Sequence, residues 1–179
     1  MKNFFTVKRI TKNALLLAIL CVIGMFSIPL GENIKVSFQL LIVFVIGLIS
    51  TSIIDSLIIT SLYLALGFLL PVYAGFNIGI SPTFGYVISF IIICFPLYFI
   101  NKIPKIDPKL RMGIACLISL IISYVVGSIF MMFYLNLDLG STLLISVVPY
   151  VVIDIAKIFM AVLVVCSLPQ SVTNIQIKK

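Results

Sequence analysis

Histidine is absent from this 179-residue chain. Its absence excludes histidine metal sites and Ser-His or Cys-His nucleophilic catalysis. Charge is scarce as well: 9% of the residues are charged, against roughly 25% in a soluble domain. A water-soluble globule is therefore not expected. No G-x-x-x-x-G-K-[ST] pattern occurs, so the chain should not hydrolyse ATP on its own. Cys21, Cys94, Cys116 and Cys166 lie in apolar runs without C-x-x-C spacing and read as buried free thiols rather than ligands.

What is abundant is apolar surface, at 63% of residues. A bilayer core about 30 Å thick takes roughly 20 apolar residues per spanning helix, so several spans fit and no separate soluble domain does. Residues 1–179 are read as a single transmembrane domain. Only helices and closed barrels satisfy their backbone groups in lipid. Barrel strands alternate in polarity, whereas "NALLLAILCVIGMFSIPL" and "GYVISFIIICFPLYFI" do not. The predicted fold class is all-α: an integral membrane bundle of six transmembrane helices. The spans run from Asn13 to Leu30, Gln39 to Ile54, Ser56 to Leu70, Gly85 to Ile100, Met112 to Tyr134 and Thr142 to Leu168. Asp55 marks the boundary between the second and third, with "STSIIDS" favouring a tight turn.

The cations sit at the ends of apolar runs, which argues for topology signals and against nucleic acid. With both termini cytoplasmic, the inside receives Lys2, Lys8, Arg9, Lys12, Lys102, Lys105, Lys109, Arg111, Lys178 and Lys179, and the outside only Lys35. That asymmetry is a positive-inside pattern and requires an even number of spans. The basic N-terminal stretch is followed by no A-x-A-like cleavage site and reads as the first helix. "NKIPKIDPKLR" then lies inside, where it can meet anionic headgroups or a cytoplasmic partner. "GENIKVS" and "PVYAGFNIGISPT" lie outside.

Two opposite charges interrupt the last apolar run, in "VVPYVVIDIAKIFM". Positions three or four apart share a helix face, so Tyr150, Asp154, Lys157 and Ala161 form one stripe. It should face protein, because a charge near mid-bilayer is unfavourable by a few kcal/mol. An internal pair that merely neutralises itself is one reading. A buried pair is often replaceable by apolar residues without loss of stability, so a ligand gives a better reason to keep it. The outer loop "PVYAGFNIGISPTFGY" adds Tyr73, Phe76, Asn77, Ser81, Thr83, Phe84 and Tyr86. Glycines including Gly75 would let its backbone turn and approach a ligand closely. In "ALLLA", Ala14 and Ala18 lie one turn apart and would admit another helix, within this chain or from a partner.

Taken together, "SIPLGENIKVSFQLLIVFVIGL" with its Gln39, "GFLLPVYAGF", "SPTFGY" and "VVPYVVIDIAK" resemble the BioY family, the biotin-binding S components of energy-coupling factor (ECF) transporters. The resemblance implies a multi-pass subunit of the bacterial cell membrane. It captures biotin from outside and works with a transmembrane coupling (T) subunit and two ATPase subunits, with no cofactor and no enzymatic role of its own. By the same resemblance Asp154 and Lys157 match a charged pair, Asn77 and Tyr86 fall in the substrate loop, and Ala14 and Ala18 match a surface that meets the coupling subunit. Val152 and Ile153 stand where the family has Pro-Gly, the stretch between Phe76 and Pro82 is short, and "ENIKVS" replaces a Pro-rich loop.

Biotin offers a ureido group with two N–H donors and one carbonyl, an apolar fused ring, and a carboxylate on a flexible tail. Asp154 could accept from the ureido N–H groups, Asn77 could give and accept, and Lys157 could pair with the tail carboxylate. Phe76 and Tyr86 would cover the ring, with Gly75 allowing close approach. Three alternatives remain at this level: an S component for another vitamin or small metabolite, an intramembrane enzyme using Asp154, and a purely structural membrane subunit.

Overall fold

A computed structural model describes residues 6–29, 35–104 and 106–169. Lys2, Lys105, Lys178, Lys179 and most of "GENIKVS" lie outside the described residues. The order is α1 (Val7–Met25), β1 (Ser27–Pro29), β2 (Lys35–Ser37), α2 (Gln39–Ile49), α3 (Ile53–Leu66), α4 (Phe84–Ile100), α5 (Pro108–Leu135), α6 (Leu139–Ser146) and α7 (Val151–Ser167). Among the described residues the regular structure is helical apart from one antiparallel hairpin, with Ser27 opposite Ser37 and Ile28 opposite Val36, and an isolated bridge between Tyr73 and Asn77.

Helix α2 is the centre of the bundle. Every residue of it except Ile42 is buried, and it touches α1, α3, α4 and α7. Its uninterrupted run of apolar side chains suits burial on all sides. Gly47 brings α4 close, since a Cβ there would overlap Leu97. Helix α1 is the opposite case. Only Leu20 and Gly24 are buried, both in its second half, and Ala14 and Ala18 are exposed.

Polar contacts identify the two ends. At one, Arg9 and Asn13 of α1 reach Asp55, Lys12 donates to the Ile49 carbonyl at 2.9 Å, and Asn101 at the foot of α4 donates to the Leu48 carbonyl at 3.1 Å. At the other, the hairpin end, the Gly75 amide donates to the Met25 carbonyl at 2.9 Å, and the Tyr86 hydroxyl to the Ser146 carbonyl at 3.2 Å.

Three of the four aspartates hold helix starts. Asp107 accepts from the amides of Lys109 and Leu110 ahead of α5, with Pro108 in the first turn. Asp138 accepts from the Ser141 hydroxyl and amide ahead of α6, and these bonds hold its carboxyl below the ordinary carboxylate range. Asp55 forms a capping box with Ser52. The turn between the second and third spans therefore falls at residues 50–52 rather than at Asp55, which is already helical. The sixth apolar stretch is broken: α6 and α7 are bent by 50°. The residue before a proline is pushed out of the α region, and Pro149 stands in the break.

Among the described residues, α5 is the one helix long and apolar enough to cross a membrane by itself, and α6 with α7 qualifies as a bent pair. Helices α2, α3 and α4 are shorter and apolar.

Candidate functional site

A cavity of about 230 Å³ opens at the hairpin end between α2, α4, α5 and α7. One wall is the start of α7, where Tyr150, Asp154 and Lys157 face inward. Asp154 and Lys157 are each 5% exposed. The Lys157 ammonium donates to Asp154 Oδ1 at 2.6 Å, and the Tyr124 hydroxyl on α5 donates to Asp154 Oδ2 at 2.7 Å. An ammonium carries three donors and a carboxylate about four acceptor positions, so both partners retain capacity toward the cavity. Asp154 also lies in the first turn of α7, where the helix dipole favours a negative charge.

The opposite wall is the start of α4. Tyr86 lines the cavity beside Thr83 and Phe90, and its ring lies against Gly127 of α5, where a Cβ would overlap it. Further lining includes Ser37 and Gln39 at the hairpin, Ala74 of the outer loop, and Ile145 and Ser146 of α6. Gln39 hydrogen-bonds the Tyr63 hydroxyl, which donates to the Val72 carbonyl at 2.7 Å. A wider groove of about 520 Å³ runs along the α4–α5 flank past Ile88, Val126, Phe130 and Phe133. Its apolar walls provide little to orient a ligand, whereas the smaller cavity has convergent polar groups.

Of the residues singled out in the sequence, the structure brings Asp154, Lys157 and Tyr86 together around this cavity. It puts Gly75, Phe76 and Asn77 on a turn just outside the lining. Gly75 and Phe76 both have positive φ, at 74° and 59°. That turn directs the Phe76 ring outward, 57% exposed, edge-on to Phe26 at 5.9 Å. Asn77 is exposed and donates to the Ala74 carbonyl at 2.8 Å. Lys157, for which the sequence allowed either an internal pair with Asp154 or a ligand carboxylate, is bonded to Asp154 here. The i, i+3 spacing leaves the two heads within reach of each other inside a buried wall.

The BioY family model matches residues 1–174. The chain belongs to the BioY family. A solved structure described as the S-component for biotin from an ECF-type ABC transporter is similar to it. That likeness has 26% sequence identity, a TM-score of 0.78, and covers 92% of each chain. Comparison with curated proteins gives no match. Family and fold are those of a membrane transport subunit rather than of an enzyme.

Two cavity features of this BioY chain were missed in the sequence. Tyr124 and Ser123 belong to an inward stripe of α5 that includes Ser119, Gly127 and Ser128. Small and hydroxyl residues recurring every four positions were the available signal. The Ser123 hydroxyl meets that of Ser89 at 2.8 Å and ties α5 to α4. The second feature is the α6–α7 break, held where the Ser146 hydroxyl meets that of Ser128 at 3.2 Å. Pro149 was its signal.

Proposed function

We propose that this BioY chain is the biotin-binding S component of an ECF-type importer. The observation that carries this reading is the buried Asp154–Lys157 pair in the wall of a small cavity at the hairpin end, in a chain whose family and fold are those of such subunits. A carboxylate in such a wall suits a ureido N–H. The ammonium suits the ureido carbonyl or, with a small rotation, an anionic tail. Tyr86 and Phe90 supply aromatic faces for the fused ring.

The proposal includes six spans of a bacterial plasma-membrane protein: α1, α2, α3, α4, α5 and the broken pair α6–α7. Supporting it, Lys8, Arg9, Lys12, Lys102, Lys109 and Arg111 gather at the end opposite the cavity, as the positive-inside rule asks of a cytoplasmic face. Large apolar side chains such as Val125, Phe133, Phe159 and Leu163 point outward from α5 and α7, as lipid-facing surface does. The cavity then faces outside. Asn77, Gly75 and Phe76 belong to the rim through which biotin enters, and the exposed Ala14 and Ala18 of α1 form the surface for the T subunit of a module with two ATPases.

Titration of the purified chain with biotin, by calorimetry and by native mass spectrometry, tests this reading. A single saturable site is expected. No heat and no bound mass at saturating biotin would overturn it.

A further inference from the structure

Asp154 and Lys157 sit on the same helix, so their salt bridge cannot hold them in place relative to the other cavity walls. Whatever rotation or slide α7 undergoes, the pair moves with it. Among the described residues, the hydrogen bond that links the pair to another element is the one from Tyr124 on α5. Tyr124 is itself well anchored: the neighbouring Ser123 is buried and its hydroxyl is joined to Ser89 of α4. The Tyr124 hydroxyl takes one acceptor position of Oδ2, and Lys157 takes one of Oδ1. One position on each oxygen is then left for a guest.

We infer that Tyr124 is a positioning residue for ligand recognition, acting through Asp154. By pinning Oδ2 it sets the direction of the free acceptor positions, so that the cavity favours a ligand presenting an N–H beside a carbonyl, as a cyclic urea does. This inference rests on the proposed biotin-binding reading. Without the hydroxyl, Asp154 is tied only to Lys157 and can swing with it. A guest must then supply the ordering that Tyr124 now provides in advance.

Tyr124→Phe removes one oxygen atom and keeps the ring, so the α5–α7 packing is retained. Two measurements are made on the full chain in detergent. The first is biotin affinity by calorimetry, where about a tenfold weakening is expected. The second is the infrared carboxylate band of protein labelled with ¹³C in the aspartate side chains. The aspartates are Asp55, Asp107, Asp138 and Asp154, and subtracting the spectrum of Asp154→Asn identifies the last. Tyr124→Phe should shift the Asp154 band in the ligand-free protein and leave the others unchanged. Weakened binding with an unmoved Asp154 band would overturn the inference, because Tyr124 would then act on the ligand or the packing. Wild-type affinity in Tyr124→Phe would overturn it too. Failure of the biotin reading itself is told apart by the unmutated chain, which would then bind no biotin whether or not the band shifts.

Discussion

Asp55 and Asp154 are 4% and 5% exposed, and each meets a cation. They are nevertheless built differently. Asp55 accepts from Arg9 at 2.7 Å and Asn13 at 2.8 Å on one oxygen, and from the Ser52 amide at 3.1 Å on the other. Its donors come from α1 and from the cap of its own helix, and none of these residues lines the cavity. Asp154 receives two donors, from Lys157 and Tyr124, and faces the cavity. A carboxylate closed on itself by local and cross-helix donors is a clasp, holding the N-terminal half of α1, which has no buried residue of its own before Leu20. A carboxylate with unused acceptor positions in a cavity wall is, on the proposed reading, a receptor. Burial and a paired cation do not separate the two cases; the count and origin of the donors do.

The comparison is tested most severely on α1, the helix that the clasp holds. Ala18→Trp, or Ala14→Trp, should abolish ATP-dependent biotin uptake in cells while leaving calorimetric affinity for biotin unchanged, since that exposed face lies away from the cavity. Parallel loss of binding and uptake would show that the face packs within this chain.

Exchange at the two carboxylates should give crossed effects. Asp154→Asn should weaken biotin by about 2 to 5 kcal/mol, because the ligand loses a charged acceptor and Lys157 is left without its partner. Asp55→Ala should leave that affinity unchanged and lower unfolding stability by about 1 to 3 kcal/mol, through loss of the cap and of the bonds from Arg9 and Asn13. Calorimetry and chemical denaturation of both variants read the two quantities. An affinity loss in Asp55→Ala would dissolve the distinction between clasp and receptor.

A finer division concerns Lys157. Because its ammonium sits on Asp154 Oδ1, Lys157→Ala should weaken biotin and neutral biotin amide alike, by about 2 kcal/mol or more. A loss confined to biotin would mean that the ammonium leaves Asp154 for the tail carboxylate once ligand is bound.

The smallest effect is expected at the rim. Asn77→Ala should weaken biotin by only about 0.5 to 1.5 kcal/mol, the net value of the bond to the Ala74 carbonyl that steadies the turn. A loss as large as that of Asp154→Asn would mean that Asn77 swings inward onto the ligand.

The site was partly legible because helical spacing is local. Asp154 and Lys157 are three positions apart, and that alone puts both on one face. Tyr86 came from its place at the end of the outer loop. Tyr124 could not be paired with Asp154 in this way, since the two lie 30 positions apart with the α6–α7 break between them. Asn77 and Phe76 carry suitable chemistry, but the positive φ of Gly75 and Phe76 turns them outward, and a residue's identity does not reveal the direction of a turn.

By itself the sequence determined the helical class, the apolar runs from which the helices are cut, the gathering of cations at their ends, and the shared face of Asp154 and Lys157. Each follows from composition or from a period of 3.6 residues, both of which act over a few turns of chain. Tertiary structure alone decided that the lysine rests on the aspartate, that a tyrosine from α5 completes the pair, and that Asp55, with similar burial, became a clasp. Those outcomes depend on which helices pack together, because an unused hydrogen-bonding position in a buried wall is filled by whatever donor the neighbouring helix presents.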